Sequence, residues 1–188
     1  IGSCFDIELL AIVAEQKETE ITHVLWPALK EGLLLQGGAI NTQSGFLLAQ
    51  CKFLHDRMLQ AAYESMSVAQ RQKTHLKIGR LLRNSYLHDN QNFQWSQPSS
   101  LFAIVEQLNH GKDLIVDDVE QLHLVELNQK AADQAKAASA WEAVVQYASV
   151  GMGLLPKDSW KTCYQLTFDL YSVKAEGEYL CGRPDTSN

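Results

Sequence analysis

The chain has 188 residues, of which 46% are hydrophobic and 20% are charged, and its formal net charge is −6. This balance is typical of a globular protein that can bury a sizeable core, and it excludes a disordered or low-complexity chain. No apolar run approaches the length of a membrane span, and the negative charge disfavours nucleic acid as a partner of the whole surface.

The four cysteines lie far apart in the sequence, at positions 4, 51, 163 and 181. This spacing fits neither a zinc site nor a redox pair, and it favours reduced thiols in a cytoplasmic protein. The sequence opens inside a helical pattern at Ile1, so we expect it to be a piece of a longer polypeptide.

Two helices are predicted at the start of the chain. Asp6 precedes an apolar pattern that predicts a first helix ending near Gln16. Thr19 is the predicted cap of a second helix, which contains Pro27 and is expected to end at Gly32.

Two strands follow, predicted over residues 33–35 and 46–54, with a loop over residues 36–45 that is rich in turn-forming residues. Two helices, a hairpin and a further helix make a compact unit. This order resembles a winged-helix module whose first strand is missing or very short, so we expect such a module over residues 1–66.

The hydrophobic period changes at Asp56. From Cys51 to His55 the side chains alternate as in a strand, and from Met58 onward they follow one face of a helix. Asp56 is therefore the predicted N-cap, and the strand places His55 at the N-terminus of the helix. Free N–H donors and a partial positive charge make this helix N-terminus suitable for an anion.

Only helices are predicted after Met66. Their expected bounds are 68–86, 101–111, 117–138 with Asp117 as the cap, 141–155, and 159–180 closed by Gly182, with a polar loop over 88–100. The pair between Asp117 and Pro156 is rich in alanine and is spaced like a tetratricopeptide repeat. We therefore expect a tetratricopeptide-like arm over residues 67–188. Its last helix would have its partner beyond Asn188 and would leave apolar surface exposed.

The run Phe53-Leu54-His55-Asp56 resembles the Met-His-Asp motif in the winged-helix part of signal-transducing NTPases with numerous domains. The longer pattern is similar to bacterial relatives in which a predicted ATPase module lies between a Ser/Thr-kinase-like domain and a sensor histidine kinase region. Further matching pieces are Leu25-Trp26-Pro27-Ala28-Leu29, Glu31-Gly32-Leu33, Ile78-Gly79-Arg80-Leu81-Leu82, Ala175-Glu176 and Leu180-Cys181-Gly182-Arg183.

The resemblance implies that His55 contacts the β-phosphate of ADP in the parent protein and holds it in a resting state. Only His55 matches that histidine, and Phe53-Leu54 stands where the motif has Met. The chain contains no Gly-x-x-x-x-Gly-Lys-Ser/Thr run, so the piece itself is expected to be non-catalytic and to hold no cofactor. ATP or ADP is implied only for the parent, through an upstream ATPase core.

A basic run without an acid lies between Met66 and His88. Lys73, Lys77 and Arg80 share one helical face by their spacing. A solvated face is the ordinary meaning of such a run, and a face that contacts phosphate or nucleic acid is the alternative.

Two other functions compete with the relay hypothesis. A winged helix with a basic neighbour fits a DNA-binding transcriptional regulator. The pair His55-Asp56, with His23 and His88-Asp89 as further ligands, fits a metal-dependent phosphohydrolase, although that fold is entirely helical.

The sequence as a whole predicts a mainly α protein with a small hairpin-containing winged-helix unit followed by a helical arm. Its predicted function is a non-catalytic regulatory or scaffold segment of a multidomain signalling ATPase. The expected partners are the upstream ATPase domain, other domains of the same polypeptide, and a protein or peptide on the arm. No metal and no membrane contact are expected.

Overall fold

The structure, a computed structural model, describes residues 4–42, 45–88 and 98–182. The chain divides into two compact units, Ile1–Gln91 and Asn92–Asn188. Most described residues are helical, and the strands are confined to the first unit. The predicted class, mainly α with a small hairpin and a helical arm, is therefore confirmed.

The described part of the first unit contains a small sheet and four helices. Its elements are β1 (Cys4–Asp6), α1 (Ile7–Ala14), α2 (Glu18–Lys30), β2 (Leu34–Thr42), β3 (Gly45–Phe53), α3 (Asp56–Glu64) and α4 (Val68–His88). The predicted boundary after residue 66 would assign α4 to the arm, whereas the structure includes α4 in the first compact unit.

The sheet is antiparallel, with the strand order β1-β3-β2. Cys4 is opposite Lys52, and Leu34 is opposite Phe53. The three-residue β1 agrees with a first strand that is very short. The predicted loop over 36–45 is largely wrong, because β2 continues to Thr42 through a register shift after Gln36 that accommodates the adjacent glycines.

One face of this sheet forms the core of the unit with α1 and α2. The buried side chains are those of Phe5, Ile7, Ala11, Ile21, Leu34 and Cys51. The rings of Phe5 and Phe53 join β1 to β3, with centroids 5.6 Å apart. Gly32 has a φ of +70° and ends the α2 segment, as predicted.

The predicted cap of α2 at Thr19 is wrong. The extended backbone ends at Lys17, which is the N-cap, and Thr19 lies inside the first turn. The Glu20 carboxylate accepts a hydrogen bond from the Lys17 backbone N–H at 3.4 Å. Acidic residues suit this first turn because the helix dipole is positive there. Pro27 lies within the helix, which continues to Lys30.

The second unit is entirely helical in its described part. Its elements are α5 (Pro98–His110), a 3₁₀ turn (Lys112–Leu114), α6 (Asp118–Ala137), α7 (Trp141–Leu154), α8 (Ser159–Thr162) and α9 (Tyr164–Leu180). Asp117 caps α6 as predicted, accepting from the Glu120 N–H at 2.8 Å. The last predicted helix is divided, because the backbone at Cys163 leaves helical geometry.

Most of the predicted polar loop over 88–100 falls on residues 89–97, which lie outside the described residues. Its ends are helical rather than looped, because α4 continues to His88 and α5 begins at Pro98. Proline is well suited to a first helical position, since its missing N–H would have no partner there.

Small residues allow the helices of this unit to pack closely. A Cβ added to Gly151 of α7 would lie 3.0 Å from the Leu170 side chain of α9, and one on Gly177 would lie 3.0 Å from Val145. Asn128 of α6 is fully buried, and its amide exchanges two hydrogen bonds with Asn109 of α5, at 2.8 and 2.9 Å. These contacts fix the register of α5, α6, α7 and α9.

Candidate functional site

The candidate site is the junction between β3 and α3, where the sequence placed His55. The strand ends at Phe53, and His55 is the N-cap of α3 with an extended backbone, φ −129° and ψ 127°. Its carbonyl oxygen accepts from the Met58 N–H at 3.0 Å. The predicted switch from strand to helix is therefore present, one residue earlier than the predicted cap.

Asp56 is not the N-cap, and that prediction is wrong. It is the first residue of α3, and no side-chain cap hydrogen bond forms at this helix start. Because the extended backbone ends at His55, the Asp56 carboxylate lies one position too late to cap the second or third helical N–H. The carboxylate still suits the first turn through the helix dipole.

The His55 side chain is exposed. It forms no side-chain hydrogen bond within the part of the chain that the structure describes. An exposed imidazole at a helix start can donate a hydrogen bond to an anionic oxygen. Its ring is thus available to a ligand oxygen, and it contributes little to the core.

An exposed apolar surface adjoins His55 on the sheet. We call it the leucine face, formed by Leu33, Leu35 and Leu54, which are 37%, 46% and 44% exposed. The Leu54 N–H donates to the Leu33 carbonyl at 3.1 Å, and Leu35 is opposite Lys52. Because side chains alternate along strands, this face is the one opposite the buried Leu34 and the half-buried Phe53. The sequence alone does not reveal this face, because three consecutive leucines do not show which side of a strand is buried.

The basic residues of α4 do not share one role. Lys73, Lys77 and Arg80 are exposed along one side of the helix, as their spacing predicts. The Lys77 ammonium pairs with Glu15 at 2.8 Å. Whether this side of α4 contacts phosphate or nucleic acid stays a prediction.

Arg71 belongs instead to the turn between α3 and α4. Its guanidinium donates to the carbonyl oxygens of Met66 at 3.0 Å and Glu64 at 3.4 Å. Its Cζ lies 4.4 Å from the centre of the Tyr63 ring, and the Tyr63 hydroxyl is 3.1 Å from Nε2 of His75. This cluster was missed, although an arginine shortly after a helix end is a usual partner for terminal carbonyls.

The metal-site alternative has no ligand cluster among the described residues, where no group of three or more His, Cys, Asp or Glu side chains converges. His23 is exposed on α2, and Asp89 lies outside the described residues. Among the described helices, none combines the length and apolar character that a transmembrane span requires.

Comparison with known proteins gives one informative similarity. No protein-family model matches this sequence, and no solved structure matches it. The chain is 26% identical to hybrid signal transduction histidine kinase G of Dictyostelium discoideum over 234 aligned positions. The alignment covers the whole of this chain but spans only 7% of the length of that curated relative.

Proposed function

We propose that this chain is a non-catalytic relay and scaffold segment of a multidomain signal-transduction protein. In the parent polypeptide, His55 reads the state of a nucleotide held by an ATPase core, and the helical arm passes that state to other domains. The similarity to a hybrid signal transduction histidine kinase, a long protein of which this chain matches a small part, supports a signalling role.

The sheet topology supports the winged-helix assignment of the first unit. A short strand, two helices and a hairpin follow one another, and the first strand pairs with the last to give the order β1-β3-β2. This is the arrangement expected of a winged helix with a very short first strand. α2 would then be its recognition helix. Its exposed side chains include Glu18, Glu20, Val24 and Trp26, which suit a protein surface better than a phosphate backbone.

One observation carries the proposal: His55 is exposed at a helix start directly beside the leucine face. Apolar side chains grouped on a surface commonly mark an interaction site. A neighbouring domain that covers the leucine face would bring its own bound ligand to the His55 ring. The same contact would therefore provide both the docking energy and the sensing group.

The chemistry of sensing is a hydrogen bond from the imidazole to a β-phosphate oxygen of ADP. The bond is stronger when the ring is protonated, because both partners then carry charge. A contribution of about 1–3 kcal/mol to the closed arrangement corresponds to roughly a 5- to 150-fold change in nucleotide affinity.

The test compares ADP release from the full-length parent protein and from its His55→Ala variant. We expect release to accelerate about 5- to 150-fold and basal signalling to rise. His23→Ala is the matched control, because it removes another exposed histidine of the same unit and should leave release unchanged. Equal release from wild type and His55→Ala, with unchanged basal output, would reject the sensor role.

A further inference from the structure

Helix α3 directly follows His55 and is held differently from the helices that form the core of the first unit. None of the α3 side chains that the structure describes is buried. By contrast, α1 buries Ile7 and Ala11, and α2 buries Ile21, all in the core on one face of the sheet. A segment with few buried apolar contacts opens at a lower free-energy cost than the core elements around it. α3 can therefore move while α1 and α2 stay in place.

The C-terminal end of α3 is fastened to α4 by three side chains, which we call the tyrosine latch: Tyr63 of α3 with Arg71 and His75 of α4. The Tyr63 hydroxyl lies 3.1 Å from Nε2 of His75, and the two rings meet edge to face with centroids 5.9 Å apart. The Arg71 guanidinium lies over the Tyr63 ring and also donates to the carbonyl oxygen of Glu64, the last residue of α3. The latch thus joins both a side chain and the backbone of α3 to α4.

Helix α4 provides a fixed support for the latch. It lies against α1 and buries Leu76, Ile78 and Leu82. Its Lys77 ammonium pairs with Glu15, the residue that follows α1. α4 is therefore anchored by apolar burial along its length, whereas α3 depends on contacts at its two ends.

The N-terminal end of α3 is attached through the backbone. The Leu54 N–H donates to the Leu33 carbonyl oxygen, which ties the residue before His55 to the start of the hairpin. The His55 carbonyl oxygen accepts from the Met58 N–H, so His55 belongs to the first turn of the helix and moves with it. The nine residues of α3 form a rod of about 13 Å. A small rotation about Leu54 therefore becomes a larger displacement at Tyr63.

We propose that α3 is a lever between His55 and α4, and that the closed tyrosine latch holds His55 in the position that binds a phosphate group. Tyr63, Arg71 and His75 are positioning residues, because they act on the ligand only through α3. A phosphate oxygen that engages His55 favours the closed latch, and by linkage an open latch weakens binding at His55. The coupling half of this lever rests on the proposed nucleotide-sensing role of His55, whereas the latch itself requires no nucleotide.

Amide hydrogen exchange of this chain tests the latch alone. Tyr63→Phe removes only the hydroxyl and keeps the ring beside Arg71, so the fold is retained. We expect the α3 amides to exchange about 2- to 10-fold faster, while those of α1, α2 and α4 keep their wild-type rates. His75→Gln retains a polar atom near the place of Nε2 and should keep α3 exchange within about twofold of the wild type. Lys73→Ala, on an exposed neighbour in α4, is the matched control and should leave α3 exchange unchanged.

Two results would overturn the latch. One is a Tyr63→Phe variant whose α3 amides exchange at the wild-type rate. The other is an acceleration that appears equally in α1, α2 and α4, because the hydroxyl would then stabilise the whole unit and not the attachment of α3.

ADP release from the full-length parent protein tests the coupling. Tyr63→Phe should accelerate release by about the same factor as it accelerates α3 exchange, since both rates follow the population of the open latch. In the His55→Ala background it should have no further effect, because the latch acts only through His55. Equal acceleration in both backgrounds, or none in the protein that retains His55, would overturn the coupling. If His55→Ala alone leaves release unchanged, the nucleotide role fails, and hydrogen exchange still decides whether the latch holds α3.

Discussion

The two units each expose an apolar surface, but they build it on different elements. The leucine face of the first unit consists of aliphatic side chains where β2 begins and β3 ends, next to His55. The second unit exposes an aromatic stripe, formed by the rings of Trp160 on α8 and of Tyr164, Phe168 and Tyr171 on α9. A pleated sheet presents a broad, shallow surface, whereas a helix presents a narrow row of side chains.

The support beneath the two surfaces also differs. The sheet has its core on the opposite side, where Leu34 and Cys51 are buried with residues of α1 and α2. α9 is held by close contacts at Leu170 and Gly177, where little space remains for an added methyl group. This difference indicates that the second unit depends on helix-to-helix fit, whereas the core of the first unit lies on one side of its sheet.

The largest expected effect is that of Leu170→Ala, which removes a fully buried side chain between α9 and α7. We expect the free energy of unfolding of the second unit to fall by about 2–5 kcal/mol. Leu180→Ala on the same helix and Leu35→Ala on the leucine face change exposed leucines and should each stay within about 0.5 kcal/mol. Urea unfolding with amide hydrogen exchange assigns each loss to its unit.

The contrast between the two surfaces would be wrong if Leu35→Ala lowered the free energy of unfolding as much as Leu170→Ala does. The leucine face would then be part of the core of the first unit and not a surface for docking. If Leu180→Ala matched Leu170→Ala, the assignment of buried and exposed sides on α9 would be wrong.

A smaller effect is expected at the turn between α3 and α4, where polar contacts replace close apolar fit. Arg71→Ala removes two hydrogen bonds to terminal carbonyls and the contact over the Tyr63 ring. We expect a loss of about 1–2 kcal/mol in the first unit. Arg71→Lys should recover only part of this, because an ammonium lacks the planar fork. Lys73→Ala, on an exposed neighbour, is the control and should be near neutral. If Arg71→Ala and Lys73→Ala have equal effects, the cluster does not stabilise the turn.

The helices of the second unit were largely predictable because their apolar spacing and end signals agree. Asp117 caps α6, and Gly182 has the positive φ that its position after α9 indicated. The exposure of Tyr164 and Phe168, with Leu170 buried, also agrees with the prediction that α9 carries more apolar surface than one contact uses. Local patterns were sufficient here because each helix is defined by its own sequence.

The first unit was less predictable because its strands depend on pairing between distant residues. β1 has only three residues and acquires its identity from its pairing with β3, a contact that no local pattern displays. The strand β2 continues through glycines that normally indicate a turn. At the candidate site, the alternation located His55 correctly but misplaced the cap by one residue, which is the usual uncertainty of a helix boundary.

The smallest expected effects concern pH, and they have opposite signs in the two units. A hydrogen bond and the charge of Lys77 hold the pKa of Glu15 below its ordinary range. Burial raises the pKa of Asp133, and the charge of the nearby Asp169 raises it further. The charge of Lys136 partly offsets this increase. A depressed carboxyl pKa stabilises the fold above the unfolded-state pKa, and this contribution is lost as pH falls through the folded-state pKa. A raised carboxyl pKa destabilises the fold at high pH, because the ionised group is less favourable in the folded protein. This cost is fully present above the folded-state pKa and disappears as the pH falls to the unfolded-state pKa.

Glu15→Gln should therefore be slightly less stable than the wild type at neutral pH, and the difference should shrink in acid. Asp133→Asn should be slightly more stable than the wild type at neutral pH, because it removes a charge that burial and Asp169 disfavour. That gain should disappear as pH falls through the raised pKa, since the native protein then takes up the proton itself. Thermal unfolding of the three proteins between pH 3 and pH 7 measures both differences. If Glu15→Gln and Asp133→Asn changed the stability at neutral pH in the same direction, the two carboxyl groups would not differ in the way their surroundings indicate. The contrast between the two units would then rest on packing alone.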